Sequence, residues 1–304
     1  MRILITGSHG QLSRELQLEL AGDGQIVVLG SQELNLLYPD RIRQQVRQLK
    51  PDLIINAAAY TAVDKAESEV EQAIAINGHA PGILAEEARR LGVPLIHYST
   101  DYVFDGNKRT PYCEDDQPSP LSVYGSSKLA GERAIQAVGG QGLILRTSWV
   151  YSLHGRNFLL TMRRLMQERK HLTVVDDEIG APTWAGTIAS VTASMIRTWR
   201  REGRPLSGLY HLTAAGYTSW YGFASLIGKT LDQQLGPLDL ELGPIASADY
   251  PTAARRPLNS RLNCDKLQRE WGVQLPEWEV GLALCLGTPR DNGSSLFSGM
   301  TCSA

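Results

Sequence analysis

The sequence predicts an α/β protein in which a doubly wound parallel sheet is joined to a smaller mixed α/β domain. Short apolar runs rich in β-branched residues recur without polar alternation, as in strands that are buried on both faces. Strand and helix patterns alternate five times with short connections, which is typical of a parallel sheet covered by helices. A glycine-containing turn joins the first strand to the first helix, the context that a dinucleotide-binding fingerprint requires.

Length and composition favour a globular protein of one large domain or two closely joined ones. The chain has 304 residues, of which 42% are hydrophobic and 20% charged, with a formal net charge of -2. That charge leaves no broad basic face, so nucleic acids and anionic membranes are poor candidates for partners. The sequence shows no apolar run long enough for a membrane span and no leader-like segment, and we expect a cytoplasmic protein.

The cysteines and histidines indicate a reduced compartment and no metal site built from these residues. The four cysteines form no Cys-x-x-Cys pair, and the six histidines form no His-x-x-x-His pair. The cysteines lie far apart along the chain, at Cys113, Cys264, Cys285 and Cys302.

The first strand, Arg2–Thr6, and the turn after it predict a phosphate-binding site. Helical periodicity begins after this turn, at Arg14. Gly7 permits a tight turn, and Gly10 lets the backbone approach a pyrophosphate at the helix N-terminus. The spacing is Gly-x-x-Gly, with Ser13 where a third glycine would allow close helix packing. An ordinary βα turn is the alternative.

The second strand, residues 25–30, lacks the terminal carboxylate that commonly binds the adenosine ribose. The strand ends in Gly30, Ser31 and Gln32, and the first acid, Glu33, follows three residues late. Without a carboxylate a 2′-phosphate is not repelled, and Ser31 and Gln32 offer it hydrogen-bond donors. These features favour NADP(H), although no arginine follows directly.

Two further buried strands are expected to end near the glycine turn. Residues 51–61 end in the small residues Ala57–Ala59, against which a flat ring or a sugar can lie, or which simply pack. Residues 93–104 contain the hydroxyls of Ser99 and Thr100. Because ligands in α/β sheets bind beyond the carboxyl ends of the strands, Thr100 is expected in the same crevice as the turn.

The stretch Ser122–Glu132 contains the candidate acid–base pair. Tyr124 and Lys128 are four residues apart, so a helix places both on one face. A nearby ammonium favours the phenolate, and we therefore expect Lys128 to lower the pKa of Tyr124 below its usual value of about 10. Taken alone, Tyr-x-x-x-Lys is also compatible with a solvated helix face.

The remaining pattern divides the chain into two domains. Further strands are predicted at 142–151, 172–176 and 208–212, and helices at 40–49, 67–91 (two pieces around Gly78), 157–170 and 187–200. Residues 1–150, with a returning segment at about 172–215, are assigned to a Rossmann-like dinucleotide-binding domain. Residues 151–171 and 216–287 form the substrate-binding lid domain, in which Arg255 and Arg256 either hold a diphosphate or form a solvated pair. Residues 288–304 are expected to form a flexible tail.

Five motifs in order carry a family resemblance. They are Thr6-Gly-x-x-Gly-Gln, Asn56-Ala-Ala-Ala-x-Thr-Ala-Val-Asp-Lys-Ala-Glu67, Tyr98-Ser-Thr-Asp-Tyr-Val-Phe104, Pro120-x-x-x-Tyr-Gly-x-x-Lys128 and Arg146-Thr-Ser-Trp-Val-Tyr151. Gly180-Ala-Pro-Thr183 and Pro257-x-Asn-Ser-Arg-Leu262 add to them. Over roughly residues 1–287 the chain resembles the extended short-chain dehydrogenase/reductases, and among them the dTDP-4-dehydrorhamnose reductases.

The resemblance implies reduction of the 4-keto group of dTDP-6-deoxy-L-lyxo-4-hexulose by NADPH, or by NADH, to dTDP-L-rhamnose, a precursor of surface polysaccharide. It implies that Tyr124 donates the proton, Thr100 hydrogen-bonds the reacting oxygen and Lys128 binds the nicotinamide ribose. The candidate substrate positions are Val63, Thr100, Asp101, Tyr102, Trp149 and Arg256. The candidate cofactor positions are Gly7, Gly10, Gln11, Leu12, Gly30, Ser31, Asn35, Leu36, Ala58, Ala59, Thr61, Tyr98, Tyr124 and Lys128.

Two departures from the family pattern matter. The acid at the end of the second strand is Gly30 here and the next ribose-side acid is Asn35, which favours NADP(H) or relaxes selectivity for NAD(H). Some members of the family form dimers bridged by Mg²⁺ through glutamates. Glu15 matches one of these, but Gly186 stands where the other is expected, so we expect no metal bridge and either a monomer or a homodimer.

Two alternatives are an epimerase or dehydratase acting on nucleotide sugars and a non-catalytic, NADP-binding regulatory subunit. Dehydratases that resemble this chain carry Thr-Asp-Glu, whereas this chain has Thr100-Asp101-Tyr102 and lacks that base. A binding subunit has no need of the intact set of Thr100, Tyr124 and Lys128.

Overall fold

A parallel sheet of six strands forms the centre of the computed structural model, which describes residues 1–287. The strands are β1 (Arg2–Thr6), β2 (Gln25–Leu29), β3 (Leu53–Asn56), β4 (Leu95–Thr100), β5 (Gly142–Thr147), β6 (Val150–Tyr151), β7 (His171–Val175), β8 (Ile179–Gly180), β9 (Thr183–Trp184), β10 (Gly208–His211), β11 (Thr218–Ser219) and β12 (Glu241–Ile245). The helices are α1 (Gln11–Glu19), α2 (Pro39–Leu49), α3 (Val63–Ala66), α4 (Val70–Ile74), α5 (Ala80–Leu91), α6 (Val123–Val138), α7 (Phe158–Glu168), α8 (Ala185–Glu202), α9 (Trp220–Leu235), α10 (Asp265–Trp271) and α11 (Trp278–Leu286).

The strand order of the main sheet is β10–β5–β4–β3–β1–β2, and every pair in it is parallel. The chain places β2 on one side of β1 and β3 on the other. Loops that leave neighbouring strands in opposite directions open a crevice beyond their carboxyl ends. The predicted doubly wound sheet is confirmed, and its switch point lies between β1 and β3.

Alternate side chains of the strands fill hydrophobic clusters on the two faces of the sheet. On β1, Ile3 and Ile5 pack with residues of α1 and α8, whereas Leu4 packs with residues of α2 and α5. All three side chains are completely buried. Because successive residues of a strand face opposite sides, burial of both faces requires the unbroken apolar runs that the sequence shows.

The interruption predicted near Gly78 is a π-helical turn, Ala75–His79, that joins α4 to α5 without a break. Gly78 faces α6, where a Cβ would lie 3.3 Å from the Cβ of Ala130. The extra residue in such a turn redirects the side chains within it. Asn77 is one of them, and it hydrogen-bonds residues of the crevice wall.

The strand predicted at 172–176 lies outside the main sheet. It is β7, which pairs with β12, and its residues Leu172 and Val174 pack with Phe223 and Ile227 of α9 in a separate cluster. The returning segment therefore does not begin near residue 172: the chain rejoins the main sheet through α8 and β10. The sequence pattern identifies 172–176 as a strand. Which strand it pairs with depends on the apolar surface against which it packs.

The tail predicted at 288–304 lies outside the described residues. Across residues 1–287, every helix is too short or too polar to cross a bilayer.

Candidate active site

The glycine turn lies at the switch point between β1 and β3. Gly7 has a φ of +86°, and a Cβ there would lie 3.1 Å from Cα of Ala58. The Gly7 N–H donates to the carbonyl of Leu29 (2.8 Å), and the Ala58 N–H donates to Oγ1 of Thr6 (3.1 Å). Gly10 precedes α1, whose first N–H groups have no helical partner and can receive an anion. This cradle of small residues fits a pyrophosphate.

Four other cofactor candidates have side chains that are already engaged within the protein. Gln11 Oε1 accepts a hydrogen bond from Asn157 Nδ2 (2.7 Å), and Asn35 Oδ1 accepts one from a backbone N–H two residues later. Leu12 and Leu36 are buried in the two hydrophobic clusters that flank the main sheet. The structure therefore does not bring the side chains of Leu12 and Leu36 into the crevice.

The end of β2 carries a carboxylate, supplied by Glu33. The N–H of Gly30 donates to Oε2 of Glu33 at 3.0 Å, and the Leu34 N–H donates to the Gly30 carbonyl at 2.8 Å. The strand itself ends without an acid, as the sequence indicates, but the side chain of the acid three residues later lies at this strand end. A tight turn brings the acid back, and Ser31 beside it is exposed.

The end of β3 leads into a segment that a buried amide holds in place. Asn77 Oδ1 accepts from the Tyr60 N–H (2.8 Å), and its Nδ2 donates to the Tyr60 carbonyl (3.0 Å) and to Ser127 Oγ on α6 (3.1 Å). This amide fixes the backbone that carries the candidates Ala58, Ala59 and Thr61, and Val63 follows at the start of α3. The segment from β3 is thereby tied to the helix that carries Tyr124.

Lys128 on α6 is buried, and its Nζ donates to the carbonyl of Tyr98 (2.6 Å) and lies 3.2 Å from Nε2 of His97. Burial lowers the pKa of Lys128 to about 8, against a smaller opposing effect of Glu132. The phenol of Tyr98 points instead at Thr192 of α8 (2.9 Å), so it is the backbone of Tyr98 that contacts Lys128.

A buried chain of polar side chains runs from Lys128 back to the glycine turn. His97 Nδ1 lies 3.0 Å from Asn56 Nδ2, and Thr6 Oγ1 donates to Asn56 Oδ1 (2.7 Å). Burial, and then the charge of Lys128, hold the pKa of His97 well below its ordinary value, so its neutral ring has one donor and one acceptor nitrogen. An ammonium on Lys128 requires Nε2 to accept, and a neutral amine allows Nε2–H to donate. With Asn56 Nδ2 donating to Nδ1, the ring proton lies on Nε2 and faces a neutral amine. An ammonium on Lys128 moves that proton to Nδ1, which then needs the oxygen of the Asn56 amide opposite it.

Tyr124 is held in its protonated form at neutral pH. Burial raises the pKa of Tyr124 to about 12, the hydrogen bond with Thr100 opposes this, and the charge of Asp101 adds to it. Lys128 is not among these causes, so in this structure the prediction that it lowers the pKa of the phenol is wrong. A protonated phenol is nevertheless the form that a proton donor needs.

Thr100, Asp101 and Tyr102 surround the phenol of Tyr124. Thr100 Oγ1 donates to Asp101 Oδ1 (2.9 Å), and the ring of Tyr102 meets that of Tyr124 edge-on at 5.5 Å between centroids. Burial raises the pKa of Asp101 to about 6, and hydrogen bonds from Ser260 and Thr100 limit the rise. The structure therefore brings three predicted substrate residues together with the predicted acid.

Trp149 has a backbone conformation that is rare for a residue with a side chain, with a φ of +48°. Its indole is stacked on that of Trp220, and a Cβ on Gly180 would lie 2.5 Å from its Cε2. Trp220 Nε1 donates to Oε2 of the buried Glu178 at 3.0 Å. The position of the ring is thus set by a neighbouring indole and by the absence of a side chain at Gly180.

Next to this stack lies a cavity of about 1060 Å³. Phe158, Leu165, Arg169, Glu178, Trp220 and Arg256 are among its lining residues. Arg256 Nη2 donates to Asp64 Oδ2 at 2.9 Å, and its charge also acts on Tyr102. The cavity therefore extends from Trp220 of the stack to Arg256, one of the predicted substrate residues.

Sequence reasoning missed three residues that support the site: His97, Glu178 and Trp220. His97 and Glu178 have no spacing that marks them, and Trp220 lies 71 residues after Trp149. The sequence placed Glu33 correctly but could not show that its side chain turns back to Gly30.

Comparison with known proteins gives one family over nearly the whole chain. Residues 1–290 match the family model described as RmlD substrate binding domain. The dTDP-4-dehydrorhamnose reductase of Burkholderia thailandensis is 46% identical over 292 residues, which is 94% of this chain and 98% of that protein. The dTDP-4-dehydrorhamnose reductase of Escherichia coli K12 is 45% identical over 287 residues, 93% of this chain and 96% of the relative.

Two solved structures agree with the same family. The dTDP-4-dehydrorhamnose reductase of Clostridium acetobutylicum matches with a TM-score of 0.87 and 34% identity, over 94% of this chain and 99% of that one. The enzyme of the same name from Bacillus anthracis, solved in complex with NADP, matches with a TM-score of 0.85 and 34% identity, over 94% and 98% of the two chains. This chain belongs to the dTDP-4-dehydrorhamnose reductase family.

Proposed function

We propose that this protein reduces the 4-keto group of dTDP-6-deoxy-L-lyxo-4-hexulose to dTDP-L-rhamnose, with NADPH or NADH as the hydride donor. The observation that carries the proposal is the convergence of Thr100 and a protonated Tyr124 at the carboxyl end of the main sheet. The buried chain from Lys128 to Thr6 links these residues to the glycine turn. The names of the relatives support the choice of substrate.

The residues around the glycine turn fit a nicotinamide dinucleotide. A Cβ on Gly7 would fill the space against Ala58, and the N-terminus of α1 offers free N–H groups for the pyrophosphate. In this proposal Lys128 binds the nicotinamide ribose. When bound, the nicotinamide supplies a hydride to C4 of the sugar.

The protein's own residues handle the charge that this transfer places on the C4 oxygen. Tyr124 donates its phenolic proton to that oxygen, a contribution of general acid catalysis typically worth about 10²–10⁴-fold in rate. Thr100 turns its hydroxyl from Asp101 to the same oxygen and holds it within reach of the phenol. Fixed donors aimed at a developing negative charge lower the barrier because they need no reorganisation during the reaction.

The cavity next to the Trp149–Trp220 stack supports a substrate-binding role for residues 151–171 and 216–287. Its volume of about 1060 Å³ and its three arginines, Arg169, Arg255 and Arg256, suit a nucleoside diphosphate. Trp149 then lies against the hexulose, and Arg256 against the diphosphate.

Turnover with the purified protein tests the proposal. The dTDP-4-keto sugar is supplied with NADPH or NADH, nucleotide oxidation is followed, and the product is identified by NMR. Stoichiometric oxidation with dTDP-L-rhamnose as product is expected. Retention of the nucleotide with formation of an epimer would assign the chain to the epimerases, and binding without turnover would make it a regulatory subunit.

We also propose a cytoplasmic location and a monomer or homodimer without a Mg²⁺ bridge. Cys113, Cys264 and Cys285 are free thiols, which supports a reduced compartment. Sedimentation of the protein with and without Mg²⁺ tests the oligomeric state.

A further inference from the structure

The turn after β2 folds a carboxylate back over the end of the strand. The Gly30 N–H donates to Glu33 Oε2 at 3.0 Å, and the Leu34 N–H closes the turn on the Gly30 carbonyl at 2.8 Å. Glu33 remains exposed, and no salt bridge among residues 1–287 involves it. The end of β2 therefore carries a negative charge without a cation bound to it.

The side chains of Ser8 and Glu33 occupy the space over Gly30. A Cβ on Gly30 would lie 2.3 Å from Oγ of Ser8, so an aspartate at position 30 requires the Ser8 hydroxyl to rotate away. The same Cβ position is 3.4 Å from Glu33 Oε2. The Ser8 hydroxyl, the Gly30 N–H and the Glu33 carboxylate thus meet above one point of the backbone.

That point lies where the adenosine ribose of a dinucleotide is bound in this class of fold. Gly7 donates to the carbonyl of Leu29, so the phosphate-binding turn and the end of β2 are adjacent. In such folds a carboxylate at this strand end accepts hydrogen bonds from the ribose hydroxyls, whereas a 2′-phosphate requires a cation. The location of the ribose rests on the proposed function.

We propose that Glu33 is the residue that reads the 2′ position of the adenosine ribose. Its carboxylate accepts a hydrogen bond from the 2′-hydroxyl of NADH and repels the 2′-phosphate of NADPH. Glu33 therefore reverses the advantage that the loss of an acid at position 30 gives to NADPH, and it shifts the chain towards NADH. Ser8 and Gly30 lie beside the Glu33 carboxylate at this strand end.

Direct binding of NADH and NADPH, without the keto sugar, tests the inference. Both nucleotides are titrated into the wild-type protein and into Glu33→Gln, whose amide oxygen can still accept from the Gly30 N–H. We expect the substitution to change the ratio of the two dissociation constants in favour of NADPH by roughly tenfold, because a like-charge contact is removed. Glu33→Ala should move the ratio in the same direction.

Glu168→Gln is the matched control, because it removes one negative charge from the exposed end of α7, which packs in a different hydrophobic cluster from β2. It should leave the ratio within about twofold, since exposed charges beyond a Debye length of roughly 10 Å are screened. An unchanged ratio in both Glu33 variants, with both nucleotides bound, would overturn the role of Glu33 alone. If the wild-type protein binds neither nucleotide, the proposed function fails first.

Discussion

The indole of Trp149 lies face to face on the indole of Trp220, with 3.5 Å between ring centroids and 8° between planes. The hydrogen bond from Trp220 Nε1 to Glu178 fixes the second ring. Because Trp149 also has a strained backbone, its position depends on this support and not on its own conformational preference. Trp220 in turn lines the cavity of about 1060 Å³.

Removing the support should weaken substrate binding. Trp220→Leu is expected to raise KM for the dTDP-sugar by about three- to tenfold, the equivalent of one aromatic pair, with the dissociation constant of the dinucleotide unchanged. Steady-state kinetics and a separate dinucleotide titration measure the two quantities. Tyr38→Leu, at an exposed aromatic residue outside the cavity, is the control. An unaltered KM in Trp220→Leu would show that Trp149 does not need its neighbour.

Loss of the proton donor should affect the chemical step alone. Tyr124→Phe is expected to lower kcat by at least about 10²-fold, because the ring is kept and the proton is lost. Dinucleotide affinity should stay within about twofold of wild type, since one hydrogen bond contributes little net binding. Single-turnover rates together with a binding titration check this, and an unaffected rate would remove Tyr124 from its assigned role.

The charge of Lys128 predicts the basic limb of the pH profile. Burial lowers the pKa of Lys128 from 10.5 to about 8, so the ammonium is present below pH 8 and is lost as the pH rises through that value. The rate constant kcat/KM for the dinucleotide reports the free enzyme and should fall above pH 8. His97 does not contribute, because its lowered pKa keeps the ring neutral throughout this range.

The variant Lys128→Arg tests whether the fall in kcat/KM above pH 8 comes from deprotonation of Lys128. A guanidinium stays charged over the whole accessible range, so the fall above pH 8 should disappear even if the overall rate is lower. Persistence of the limb in Lys128→Arg would assign it to another group.

The loss of the buried ion pair between Glu132 and Arg146 should lower the free energy of unfolding more than the loss of an exposed pair. Both side chains are 2% exposed, and two hydrogen bonds of 2.9 and 2.6 Å join them. Glu132→Ala leaves a buried guanidinium without its partner and is expected to lower the free energy of unfolding by about 3–5 kcal/mol. Urea unfolding measures the change.

The exposed pair Arg164–Glu168 provides the comparison, with a distance of 2.7 Å but side chains 61% and 53% exposed. Glu168→Ala should cost no more than about 0.5 kcal/mol, because water screens the charges and the pair is weak. Equal losses in the two variants would contradict the argument from burial.

Within the sequence, local patterns were sufficient for the elements and for the core of the site. β1 follows from its unbroken apolar run, and the start of the Tyr124 helix follows from Ser122, whose hydroxyl accepts from the Gly125 N–H. The glycine at position 7 follows from the tight turn after β1, because that turn requires a positive φ. These features depend on residues that are close along the chain, so their physical causes are visible in the sequence.

The tertiary structure alone decided which groups meet across long separations. It paired β7 with β12, stacked Trp149 on Trp220 and turned the ammonium of Lys128 to Tyr98 and His97. Burial then determined which groups are protonated. It raises the pKa of Tyr124, whereas the spacing of Tyr124 and Lys128 predicted a lowered pKa for this phenol. It also lowers the pKa of Lys128. Desolvation and packing depend on everything that surrounds a side chain, and spacing along the chain records only a small part of those surroundings.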